Sequence, residues 1–175
     1  ITVRLAGQVS QQFGDTETMG KSIAAIRDKR APVETRRQAL QLLATRQRPE
    51  LATELPALLT EPGLRADAIR AVANFDEENL GKLLLTNYST FDVAEKGLAV
   101  QTLASRPRYG WLLTQAIKDK TVPKRDVPSY AARQLLRVVG SGFVEVWGAI
   151  EHNGMDEKAY AKYQRMANPK AVGEA

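Results

Sequence analysis

The sequence contains no cysteine, which excludes disulfides, thiolate metal sites and covalently attached c-type haem within these 175 residues. Its single histidine, His152, lies in the polar segment EHNG, and no cluster of histidine and acidic residues has the spacing of a metal site. The GxSxG nucleophile motif, the Walker loop and the dinucleotide fingerprint are also missing. We therefore expect no catalytic, cofactor-binding or metal-binding residue here, and we predict that this segment is not an enzyme.

Aromatic residues make up only 6% of the chain, so its core must be built mainly from alanine, leucine and valine. No stretch approaches the roughly 18 consecutive apolar residues of a membrane-spanning helix, and we expect no membrane insertion of this segment. The 25 basic and 20 acidic residues give a net charge of +5. This balance is typical of a solvated surface, and it is also compatible with an anionic partner.

A repeated apolar pattern is the most informative feature that is present. Four apolar stretches open at Ala39, Ala68, Ala99 and Ala131, which are 29, 31 and 32 residues apart. The residues four positions after these alanines are Leu43, Val72, Leu103 and Leu135. The residues twelve positions after them are Leu51, Leu80, Trp111 and Phe143. A repeat of this length with helical spacing inside it indicates a stacked helical solenoid with two helices per layer.

The predicted fold class is all-α, a right-handed α-α superhelix of the HEAT-like solenoid kind with about eleven helices. No segment alternates apolar and polar residues, so we expect no strand. Residues 1–175 are predicted to form a single HEAT-like repeat domain. Because the chain starts at Ile1 rather than methionine and stops at GEA, we interpret it as a fragment of a larger multidomain protein.

Local signals predict individual helix ends and packing residues. Asp76 has the character of an N-cap, and Ser89 with Asp92 three positions later resembles a capping box. Trp111 and Trp147 are interpreted as packing anchors rather than as a platform on which bases stack.

A row of basic residues accompanies the repeat. Arg36, Arg65 and Lys96 each lie three positions before a repeat alanine, and the fourth equivalent is Pro128. If the layers stack in register, these side chains form a ladder along one side. They are the candidate interaction surface, a strip that would bind phosphates or acidic side chains. The alternative interpretation is a set of solvent-facing positions that happen to be basic.

A second set of motifs is concentrated in residues 103–148. It consists of Arg106-Pro107, Val122-Pro123, Asp126, Ala132-Arg133-Gln134 and Val146-Trp147-Gly148. This region resembles the HEAT-repeat region of large planctomycete-type membrane-bound dehydrogenase and haem-binding (cytochrome c) domain proteins. The resemblance extends more weakly over residues 36–104, so it covers most of the chain.

In that family a propeller-like, sugar-dehydrogenase-like domain precedes the helical repeats, and a c-type cytochrome domain carrying CxxCH follows them. The resemblance therefore implies a non-enzymatic scaffold or protein-interaction module that links these two domains. Its partners would be the flanking domains or another protein, and haem c would belong to the parent protein, not to this segment. A periplasmic or otherwise extracytoplasmic location is also implied. The alternative is a nucleic-acid-binding HEAT-like repeat protein that uses a basic face, with nucleic acid the less favoured partner.

Overall fold

The computed structural model describes residues 16–148, and its regular structure there is entirely helical. The α-helices are α1 (16–27), α2 (Val33–Thr45), α3 (Pro49–Leu58), α4 (Pro62–Val72), α5 (Glu78–Asn87), α6 (Val93–Leu103), α7 (Pro107–Lys118), α8 (Ser129–Val139) and α9 (Ser141–Trp147). Two single-turn 3₁₀ helices cover Tyr88–Thr90 and Lys124–Asp126. The all-α prediction is confirmed for this range. The last predicted helix and His152 lie outside the described residues.

The helices pack in two rows that run along the chain. In one row α2 contacts α4, and α4 contacts α6; in the other α3 contacts α5, α5 contacts α7, and α7 contacts α9. Consecutive helices also touch, so each pair such as α2–α3 or α4–α5 makes one layer. This arrangement is compatible with an α-solenoid, in which each layer contacts only its neighbours.

The repeated apolar residues form the core. All four repeat alanines are buried, and the four residues one turn later, among them Leu43 and Leu103, are fully buried. These positions lie on one helix face because residues four apart on a helix are neighbours. The small alanine side chain lets adjacent helices approach, and the larger residue one turn later fills the space between them.

Trp111 departs from the predicted pattern, because 51% of its surface is exposed whereas the other three residues of the twelve-position set are buried. Helix α7 instead buries Tyr109, Gly110 and Leu113. At Gly110 the helix lies so close to α8 that an added Cβ would be 2.9 Å from side-chain atoms of α8. This approach turns Gly110 inward and leaves Trp111 at the edge, where its ring covers Gly142.

Two predicted helix ends are wrong by small amounts. The N-cap of α5 is Glu77 rather than Asp76. Helix α6 is capped by Asp92 and Glu95 rather than by Ser89, which lies in the preceding 3₁₀ turn. The Asp92 carboxylate accepts a hydrogen bond from Glu95 N at 2.8 Å, and Asp92 N donates to Glu95 Oε2 at 3.0 Å. The capping box therefore exists, three residues further along the chain.

Candidate functional site

Arg36, the first member of the basic row, is buried between layers, with only 4% of its surface exposed. Its Nε and Nη2 atoms donate to the Ile26 carbonyl oxygen at 3.1 and 2.8 Å, near the end of α1. Its Nη1 and Nη2 atoms donate to the Glu61 carboxylate at 2.6 and 3.1 Å. These hydrogen bonds hold the pKa of Glu61 below its ordinary value. Because Glu61 is the N-cap of α4, one side chain connects α1, α2 and α4.

Arg65 repeats this arrangement one layer later. Its Nε atom donates to the Leu59 carbonyl oxygen at the end of α3 at 2.9 Å, and its Nη1 atom contacts Glu95 Oε2 at 3.3 Å. The guanidinium also lies over the Phe91 ring, 5.9 Å from its centroid. Glu95 belongs to the first turn of α6, so Arg65 joins α3, α4 and α6. We call the contacts α2–α4 and α4–α6 the first and second seams, and the contact of α6 with the Lys124–Asp126 turn the third seam.

Lys96 occupies the same repeat position at the third seam but is not paired in the same way. Its ammonium lies over the Tyr88 ring, 5.6 Å from the centroid. It takes part in none of the ion pairs that the structure gives for residues 16–148. Asp126, the acidic residue that precedes α8, instead accepts a hydrogen bond from the Tyr88 hydroxyl at 3.1 Å. Burial, together with Asp126, raises the pKa of Tyr88 well above its ordinary value.

The basic row therefore consists of two interlayer cations, Arg36 and Arg65, and one cation, Lys96, that has no acidic partner among residues 16–148. Arg36 and Arg65 are held by acidic residues inside the seams, whereas Lys96 lines a groove in this part of the chain. That the row binds a partner stays a prediction.

A groove of about 650 Å³ opens at the third seam, where Lys96 lies. The Lys124–Asp126 turn contacts α6 here, in the connection that precedes α8. Val93, with 90% of its surface exposed, lies at this groove with Gly97 and Arg125. We call this space the Lys96 groove.

Val93, Arg125 and Asp126 line this groove, and the sequence alone did not predict them as site residues. One available signal was the connection over residues 119–128, which is the longest between α-helices within residues 16–148 and leads to the fourth repeat. A longer connection at one repeat boundary indicates a place where the regular stacking of layers is interrupted.

Arg106, which belongs to the motif Arg106-Pro107, has a structural role. Its Nε atom donates to the Ala73 carbonyl oxygen at 2.8 Å, just after α4. The Tyr109 hydroxyl donates to the Phe75 carbonyl oxygen at 2.7 Å and accepts from Glu77 N at 3.3 Å. Burial raises the pKa of Tyr109, so this hydroxyl keeps its proton. Through these hydrogen bonds, Arg106 and Tyr109 hold the connection between α4 and α5 in place.

Within the described part of the chain, no group of three or more histidine, cysteine, aspartate or glutamate side chains is placed to hold a metal ion. No helix in residues 16–148 combines the length and the apolar character that crossing a membrane requires. The chain matches no family model, no curated protein and no solved structure.

Proposed function

We propose that this segment is a non-enzymatic helical-repeat scaffold, a right-handed HEAT-like superhelix that spaces domains or binds a protein partner. The observation that supports this most strongly is that the same arginine contact between layers occurs twice. Arg36 and Arg65, at the same repeat position, each bind a carbonyl oxygen at the end of the preceding helix and an acidic residue of the next layer. The same contact between successive layers supports a repeat array, and arrays act mainly through extended surfaces.

In the parent protein, we propose that the scaffold links a dehydrogenase-like propeller to a cytochrome c domain in an extracytoplasmic compartment. The basis is the family resemblance of residues 103–148. The test is to read the complete open reading frame around the encoded segment. A propeller-coding region upstream and a CxxCH motif downstream are expected. A reading frame that lacks both contradicts the linking role.

The non-enzymatic part of the proposal has its own test. The purified chain is assayed for oxidoreductase and hydrolase activity, with each fraction of a size-exclusion column tested separately. No activity should follow the protein peak. An activity that follows the peak and is lost on unfolding contradicts the proposal.

Nucleic-acid binding is the alternative, and the net charge of +5 is the observation that favours it. The pairing of Arg36 with Glu61 and of Arg65 with Glu95 argues against it, because paired cations neutralise few phosphates. Fluorescence anisotropy with a labelled DNA duplex at low and moderate salt separates the two functions. Tight binding at low salt that weakens steeply as salt rises would favour the nucleic-acid function.

A further inference from the structure

The first two seams indicate which kind of group binds the cation at the repeat position that Lys96 occupies. Arg36 and Arg65 each bind a carboxylate at 2.6 and 3.3 Å. In both seams the carboxylate comes from the start of the next helix in the row. At the third seam the cation is present, and no described acidic residue is paired with it.

Asp126 is the acidic residue of this chain that precedes α8, and its carboxylate is bound by groups other than Lys96. Asp126 is bound by the Tyr88 hydroxyl at 3.1 Å and lies 3.8 Å from Arg125 Nε. The connection that carries it is anchored by Val122, which is fully buried and whose N–H donates to the Ala116 carbonyl oxygen at 3.1 Å. Asp126 therefore has a fixed partner, and Lys96, beside the groove, forms no ion pair with any residue of the described range 16–148.

We propose that the Lys96 groove binds a segment of a partner protein in which an acidic side chain is next to an apolar one. The acidic side chain binds Lys96 as Glu61 binds Arg36, and the apolar side chain packs on Val93. The backbone of the segment passes over Gly97, where an added Cβ would meet nothing within 4 Å. The inference rests on the proposed function, since it names the partner chemistry of a protein-binding scaffold.

Charge complementarity favours a peptide over nucleic acid at this place. The groove holds two cations, Lys96 and Arg125, and one carboxylate, Asp126. A single excess positive charge matches one acidic side chain, whereas Asp126 repels a chain of phosphates. The exposed Val93 adds an apolar contact that a phosphate backbone does not use.

The test uses the full chain, isotope-labelled for nuclear magnetic resonance, and two pools of short peptides. One pool has a fixed central Glu-Leu pair, and the other has Gln-Leu at the same place. The Glu pool should shift the amide signals of Val93 and Gly97 and should bind about two- to fivefold more tightly than the Gln pool. Lys96→Met should abolish this preference. Lys82→Met, which removes an exposed lysine of α5, is the matched control and should keep it.

Three results would overturn the inference. The first is equal binding of the Glu and Gln pools by a chain whose spectrum shows it to be folded. The second is a set of signal shifts at residues other than Val93 and Gly97. The third is a short DNA duplex that shifts the Val93 and Gly97 amide signals at lower concentration than the Glu pool, which would assign the groove to nucleic acid. Failure of the scaffold proposal is detected separately, by the reading frame and the activity assays, neither of which involves Lys96.

Discussion

Replacing Arg36 with methionine tests the interlayer contact at its most buried point. Methionine keeps most of the side-chain length and removes the charge together with every donor. The variant therefore loses two hydrogen bonds to the Ile26 carbonyl oxygen and two to Glu61. Because Arg36 is 4% exposed, solvent cannot replace it fully at the carbonyl oxygen.

The expected cost follows from the groups that are left without a partner. Breaking a buried ion pair by removing one member costs about 3–5 kcal/mol, and an unpaired buried carbonyl costs about 1–3 kcal/mol. The Glu61 side chain is 24% exposed, so water recovers part of its solvation. We therefore expect Arg36→Met to lower the free energy of unfolding by about 2–4 kcal/mol.

Urea unfolding followed by circular dichroism measures this loss. The midpoint should fall by about 1–2 M with an unchanged slope. Arg27→Met is the matched control: it removes another arginine–glutamate pair, with Glu54, in which the arginine is 62% exposed. Its midpoint should stay close to that of the unaltered chain. A loss below about 1 kcal/mol for Arg36→Met would refute the role assigned to this residue.

The same pair predicts a pH dependence. Arg36 lowers the pKa of Glu61 in the folded chain, whereas an unfolded glutamate titrates near about 4.3. The stabilisation is therefore fully present above about pH 5 and is lost as the pH falls through the lowered folded-state value. The difference in unfolding free energy between the unaltered chain and Arg36→Met should shrink below about pH 4. An increase in that difference on acidification would contradict this assignment.

Three further substitutions test the packing, each by urea unfolding. Leu103→Ala should cost about 2–5 kcal/mol, because Leu103 is fully buried, and a cost below about 1 kcal/mol would mean that it does not fill the space between layers. Tyr109→Phe should cost about 1–3 kcal/mol, since it leaves the Phe75 carbonyl oxygen without its donor; a neutral change would exclude a role for this hydroxyl. Gly110→Ala should be about 1–3 kcal/mol less stable than Gly97→Ala, because only at Gly110 does the new methyl group meet stiff valine side chains at 2.9 Å. Equal stability of the two glycine variants would contradict the close approach of α7 and α8.

Helix positions were predictable from the sequence because they depend on local signals. Val33–Thr45 begins directly after a proline, and the apolar spacing of the repeat runs through it. The burial of the repeat alanines followed from the same spacing. Trp111 was predicted wrongly because its exposure depends on how α7 is rotated about its axis, which is set by contact with α8 at Gly110. Spacing within one helix contains no information about that rotation.

The candidate site was predictable only in part. The position of Lys96 followed from the repeat, but its difference from Arg36 and Arg65 depends on where acidic residues of the next layer lie. Those partners are distant in sequence, with Glu61 25 residues after Arg36 and Glu95 30 residues after Arg65. Because this separation varies, no fixed spacing identifies the pairs. The groove itself arises from tertiary packing of the Lys124–Asp126 turn.

The stacking of layers is tested most directly by distances between equivalent positions. The residues two positions after the repeat alanines, Gln41, Arg70, Gln101 and Arg133, are all exposed. Because the chain has no cysteine, pairs of introduced cysteines can be spin-labelled without background and their separation measured by pulsed electron resonance. A stack predicts that the distance from position 41 rises by about 8–10 Å at each step to 70 and 101, where the helices pack directly, and rises further at 133. A distance from 41 to 133 that is no longer than that from 41 to 101 would contradict the scaffold.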